Sequence, residues 1–375
     1  MGTPYPSAIT SIKTPGLDTL WAETLGDPGI CIAILDGPVD QSHTSLAAAN
    51  LTQVETLVAG ITSQGSATFH GTHVASVIFG QHDGPVKGIA PQSCGLIVPI
   101  FQDGPKGSIA PCSQVDLARA ITQAVQAGAH VINISGGEKS LSGAAHPILT
   151  DAIQMCSDND VLIVAAAGNE GCECLHIPGA SPSVLAVGAM DAQNQPLPFS
   201  NWGDEYRSQG VLALGEEILG AVPGGGTARQ SGTSYATPIV SGVVALLLSL
   251  QKKLGLEMSP QAIRDAILSS ANACDWQNGA DCRPFLVGSL NVSGAQALIV
   301  QKNKEMNVAR YQKGGDEITT QKKQSSLSTE MKSLTVGDVA PEFVVQDHQG
   351  QEVRLSDYRG QLVVLWFYPH ADTPG

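Results

Sequence analysis

Apolar residues fall into short blocks separated by polar segments, and the blocks are of two kinds. Residues 31–35, 95–100, 131–134, 161–166 and 184–188 are continuous apolar runs, too short for helices, and predict buried strands. Residues 115–127 instead place Val115, Leu117, Ala118, Ile121 and Val125 on one helical stripe, which Gly128 stops. Helical character also marks 74–79, just after His70, and 148–156. The longest predicted helix opens at Thr233 or Ser234, runs over 235–253 and carries Pro238 early. A further helix follows over 260–269, with Ser259 as its N-cap. Strand and helix alternate, so the expected architecture is α/β, a parallel sheet with helices on both faces. Active groups in such sheets gather at the carboxyl edge, and Asp36, Ser135 and Asn169 each follow a predicted strand.

The pattern fades near residue 300, after Leu290-Asn291-Val292. Lys, Gln, Glu, Ser and Thr dominate 301–332, which predicts a solvated linker, helical at its start. A new pattern begins after Ser333 and includes an apolar run over 362–368. The expected division is an N-terminal extension 1–24, a compact domain 25–300, the linker 301–332 and a C-terminal segment 333–375. No internal repeat is visible.

Composition narrows the class. Of 375 residues, 42% are hydrophobic and only 14% charged, as in a globular protein with a sizeable core. The net charge of −14 argues against nucleic acid or an anionic membrane as partner. No secretory signal is visible, and no apolar run looks long enough to span a bilayer, so the expected location is the cytoplasm. Eight cysteines are then expected mainly as buried, reduced thiols, with a local Cys274–Cys282 pair as an alternative. Cys172 and Cys174 lack the second half of a zinc motif.

Four short words carry chemistry: Ile34-Leu35-Asp36-Gly37, His70-Gly71-Thr72-His73, Ala167-Gly168-Asn169-Glu170-Gly171 and Ser231-Gly232-Thr233-Ser234. They supply a carboxylate, an imidazole, a side-chain amide and a hydroxyl. A serine hydroxyl needs a base to take its proton, and imidazole has the right pKa. A buried carboxylate fixes the imidazole tautomer, and an amide awaits the oxyanion. The candidate catalytic residues are therefore Asp36, His70 and Ser234, with Asn169 and the Ser234 N–H as oxyanion donors. His73, one helical turn on, is an alternative base, although Gly71 favours His70 at a helix start facing a cleft. Ser135-Gly136-Gly137 has no bulky side chain and suits an extended peptide added to a strand edge. Ala166 and Gly168 belong to a run that predicts a smooth-walled primary pocket.

Over residues 25–298 these words resemble the subtilisin-like serine proteases. The resemblance implies a subtilisin-like three-layer fold, with a mostly parallel, seven-stranded sheet between helices, and it assigns the base to His70. Residues 33–40, Gly88-Ile89-Ala90-Pro91-Gln92, 96–101, 172–176 and 198–203 resemble the cyanobactin (patellamide-type) maturation proteases. That implies a peptide partner, a ribosomally made precursor whose leader is removed. A sister branch that macrocyclises carries an extra insert near the catalytic histidine; here Asp36 and His70 lie only 34 residues apart, which favours leader cleavage. A general intracellular subtilase and an inactive peptide-binding module are the alternatives. Only 35 residues precede Asp36, so folding without a propeptide is expected. No cofactor and no metal are expected. Residues 336–343 and 367–375 resemble the start of a peroxiredoxin, ending one residue before that family's peroxidatic cysteine. This implies an incomplete thioredoxin-like fragment, poorly ordered and without peroxidase activity.

Overall fold

The structure is a computed structural model that describes residues 14–55, 64–275, 281–302, 344–346 and 352–358. Seven strands form one sheet: β1 (Cys31–Asp36), β2 (Leu51–Gln53), β3 (Cys94–Pro99), β4 (Val131–Ile134), β5 (Leu162–Ala166), β6 (Leu185–Met190) and β7 (Gly210–Leu214). Their spatial order is β7-β6-β5-β4-β1-β3-β2, and every pair is parallel. The helices include α1 (Leu17–Glu23), α2 (Ser66–Phe79), α3 (Gln114–Gln126), α4 (Pro147–Asp158), α5 (Thr233–Lys253) and α6 (Pro260–Ser270).

Side chains alternate between the faces of a strand, and here both faces are buried. Ile32, Ile34, Val131, Val164 and Val187 pack with α1, α2, α5 and α6 on one side. Ala33, Leu35, Ile132, Ile163 and Ala186 pack with α3 and α4 on the other. This is the three-layer, subtilisin-like arrangement. It explains why the strands read as unbroken apolar runs rather than alternating ones.

The helix α5 lies in the core. It is long and apolar enough to cross a bilayer, yet nearly all of it is buried against the sheet and neighbouring helices. The helix expected over 235–253 is present at that length; the expectation of no span-length apolar run overlooked that Ser241 and Ser249 do not break its apolar character, since both hydroxyls are buried and bonded, to Asn133 Oδ1 and the Ala245 carbonyl.

Three antiparallel ribbons decorate the domain: Gln102–Asp103 with Ile109–Ala110, Glu138–Ser140 with Leu175–Ile177, and Ile218–Ala221 with Thr227–Gln230. The expectation of reduced cysteines is corrected. Cys31–Cys94, Cys172–Cys174 and Cys274–Cys282 are disulfides, leaving Cys112 and Cys156 free. Cys31 and Cys94 are register partners on β1 and β3, with Cα atoms 4.3 Å apart, a proximity that no sequence spacing announces.

The chain divides into two compact units, residues 1–312 and 313–375. Residues 292–302 are helical and reach the first two residues of the expected linker; the rest of 301–332 lies outside the described residues. Of the C-terminal segment, Val344–Gln346 pairs antiparallel with Glu352–Arg354, and a 3-10 turn follows at Leu355–Tyr358. The apolar run 362–368 and the expected disorder lie outside the described residues.

Candidate active site

Asp36 ends β1 with no exposed surface. Its Oδ1 accepts the Gly37 N–H at 2.6 Å and contacts His70 Nδ1 at 2.7 Å. His70 lies one turn inside α2 rather than at its first residue. The approach is possible because glycine stands on each side of the contact between the β1 exit and α2. A Cβ on Gly37 would strike the Ala67 carbonyl, and one on Gly71 would strike the Gly37 carbonyl. The helix start is held from outside. Gly65 offers no side-chain cap, and Asp103 Oδ1 instead accepts the Ala67 N–H at 2.9 Å.

Burial pulls the His70 pKa down, but the charge and hydrogen bond of Asp36 outweigh it and hold the imidazolium above the ordinary histidine value. His73 is the opposite case. Fully buried, with Nε2 3.1 Å from the Ile218 carbonyl, it is pushed down to about 4 by burial and by the charge of His70. The two imidazoles therefore have separate environments, one beside a carboxylate and one against a backbone ribbon.

Ser234 is the second residue of α5, so its N–H has no intrahelical partner and lies at the positive end of the helix dipole. Its hydroxyl makes no hydrogen bond among the described residues. Ser234 and His70 line the same cleft, of about 790 Å³. Asn169 lies beyond the end of β5. Its Oδ1 accepts the Thr233 N–H at 2.9 Å and the Thr233 hydroxyl at 3.1 Å. With the oxygen tied down, the amide NH2 is the free end. Gly168, with φ of +105°, supplies the turn that brings it there.

Ser135, Gly136 and Gly137 line the cleft and leave the sheet after β4 without joining a ladder. Ser135 Oγ accepts from Asn133 Nδ2, and Asn133 Oδ1 accepts from Ser241 of α5, tying this strand end to the helix that carries Ser234. Ala166 and Gly168 are not on that wall. Ala166 is buried, and Gly168 faces Asn201 and His176. Ile100, Phe101, Ile109, Val115 and Leu117 make the cleft's far end apolar.

Sequence reasoning missed Thr233, which bridges Asn169 and the Gly168 N–H, and the cluster of Glu170, His176 and Asn201. Glu170 sits in the same word as Asn169, but its partners lie 6 and 31 residues away with no periodic relation.

Residues 27–286 match the subtilase family, and residues 336–375 match the AhpC/TSA family. The chain belongs to the subtilase family. This subtilase is 32% identical over 252 residues to "Subtilisin" of Bacillus pumilus, covering 65% of the chain and 84% of that protein. It is 33% identical over 261 residues to the "Major intracellular serine protease" of Bacillus subtilis (strain 168), covering 66% of the chain and 76% of that protein. Among solved structures it resembles prenylagaramide maturation protease PagA, at 55% identity and TM-score 0.71, covering 76% of this chain and 99% of that one. Patellamide maturation protease PatA shows 56% identity and TM-score 0.68, with 74% and 98% covered. The PatG macrocyclase in complex with peptide shows 32% identity and TM-score 0.71, with 79% and 98% covered. The subtilase is thus a subtilisin-type serine endopeptidase, related to cyanobactin maturation proteases.

Proposed function

We propose that this endopeptidase removes the leader from a ribosomally made, cyanobactin-type precursor peptide in the cytoplasm. The higher identity to the PagA and PatA proteases than to the PatG macrocyclase supports cleavage over cyclisation. The relative named as intracellular supports the location.

The reading of the residues is as follows. His70 takes the Ser234 hydroxyl proton as Oγ attacks the scissile carbonyl. Asp36 holds the Nδ1–H tautomer and stabilises the imidazolium. The Asn169 amide and the Ser234 N–H receive the oxyanion. His70 then gives the proton to the leaving amine, an acyl-Ser234 ester remains, and water releases it by the same route. The peptide lies along Ser135-Gly136-Gly137 as an added strand. The Asp36–His70 contact of 2.7 Å on a cleft shared with Ser234 carries this assignment. The protease is assigned to residues 25–300, followed by the linker 301–332 and the AhpC/TSA-like segment 333–375. Ala166 and Gly168 are assigned to the floor behind the cleft wall.

The test is a pair of substrates, a cyanobactin-type precursor peptide and denatured casein. A single cut at the leader boundary, absent in Ser234→Ala, is expected. Broad casein digestion without a discrete precursor cut would make the chain a general intracellular subtilase instead. Failure of a fluorophosphonate probe to label Ser234 would leave only a peptide-binding module.

A further inference from the structure

We propose that the surface groove between α3 and α4 is a docking site for the leader of the precursor, seating an amphipathic helix upstream of the cut. The proposal deepens the leader-cleavage reading and rests on it.

The chemistry sets the direction of the bound chain. His70 must hand its proton to the leaving amine, so the part after the cut lies on the His70 side. The part before the cut then lies along Ser135-Gly136-Gly137. Beyond Gly137 the cleft is lined by Glu138, Gln114 and His146. Both helices begin there: Gln114 is the first residue of α3, and His146 is the N-cap of α4. Gln114 ties this exit together. Its Oε1 accepts the His146 N–H at 2.7 Å, and its Nε2 donates to Glu138 Oε2 at 3.0 Å.

The groove continues the cleft along the same helix faces. Val115 lines the cleft, and Ala118 and Thr122, on the same face of α3, line a groove of about 470 Å³. Ile148, Ala152 and Met155 of α4 make its other side. From residue 115 to 122, and from 148 to 155, each wall rises about 10 Å, or two helical turns. Ala118 and Ala152 are buried at the base, and their small side chains let a third helix approach closely. Ile148 is 42% exposed and Val115 38%. With Ile109 of the cleft they are three of the six large apolar side chains exposed among the described residues. Single scattered exposures are ordinary, whereas three along one track mark a surface that a partner covers. Arg119 and Asp151, both exposed, also line the groove. A helix seated there buries apolar side chains at i, i+3 or i+4 and i+7 and turns its polar face outward. The leader is the occupant because it is covalently continuous with the residues held at Ser234. Once the cut site is seated, its docking is intramolecular.

Two substrates test this on the full chain. One is a cyanobactin-type precursor with its entire leader. The other is trimmed to about five residues before the same cut, an ordinary strand length. In the wild type the trimmed peptide should show a KM at least about tenfold higher at similar kcat, because a contact remote from the reacting atoms binds substrate and transition state alike. Ile148→Glu should raise KM for the whole precursor by about tenfold, the scale of one buried aliphatic side chain, and leave the trimmed peptide unchanged. A carboxylate in the first turn of α4 favours that helix, so the variant keeps its fold. Thr122→Arg, on α3, should act in the same way and gives an independent block. Equal KM for both substrates in the wild type, or equal KM shifts for both in the variants, overturns the docking site. Variants that change the oligomeric state in sedimentation and leave both KM values in place overturn it too, and assign the groove to a second copy of the chain. A wild type that fluorophosphonate labels but that cuts neither substrate overturns the leader-cleavage reading, and this proposal with it.

Discussion

His70 and His73 lie one helical turn apart and are driven in opposite directions. Only the first has a carboxylate partner, so only it should appear in the rate. The base must be neutral to accept a proton, and the His70 pKa is raised. The acid limb of kcat/KM should therefore have its midpoint above the ordinary histidine value of about 6.5. In Asp36→Asn the raising influence goes and burial remains, so that limb should move to lower pH. The rate should fall by about 10⁴-fold as the tautomer is lost. A limb that stays in place in Asp36→Asn would show that another group sets it. His73, at about 4, should leave the profile flat above pH 5. Asn169→Ala should lower kcat by about 10²–10³-fold with KM changed only a few-fold, because the donor serves charge that exists only in the transition state. Asn169 also holds Thr233, so the variant's melting temperature is measured alongside.

The core elements were legible because periodicity reports burial directly. Buried runs marked β1, β3, β4, β5 and β6, and apolar stripes marked α3 and α4, within one or two residues. The short edge strand β2 was not visible, since its three residues are half-buried or exposed and carry no run. The start of α2 was also missed, for a reason in the chemistry of its end. Gly65 cannot cap, and the capping carboxylate arrives from Asp103, 36 residues on from Ala67. A long-range cap leaves no local signature. It also bears on function, because α2 carries His70. Asp103→Ala should cost about 1 kcal/mol in chemical denaturation, the usual worth of an N-cap, and should lower kcat by loosening the His70 approach. Loss of stability with full activity would mean that the glycine contacts alone fix the helix.

At the scale of the molecule, the sequence named the four chemical groups and offered the local Cys274–Cys282 pair, but not the ties Cys31–Cys94 and Cys172–Cys174. Cysteine partners depend on which strands become neighbours, and β1 and β3 are joined only after β2 and α2 intervene. The three pairs bear on the proposed cytoplasmic location, since reducing compartments keep thiols free. Thiol titration of protein quenched directly from cells should find two reactive groups, Cys112 and Cys156, if the pairs persist there. The pairs should also differ in worth. Cys31–Cys94 closes a span of 63 residues, and Cys172–Cys174 a span of 2. A crosslink stabilises chiefly by restricting the unfolded chain, so the long closure should contribute about 4 kcal/mol and the short one less than half of that. The paired substitutions Cys31→Ser with Cys94→Ser, and Cys172→Ser with Cys174→Ser, separate the two in denaturant titrations. If the short pair proves the costlier to remove, the 172–174 turn is acting through the folded state. It would then be bracing the Glu170–His176–Asn201 cluster beside it.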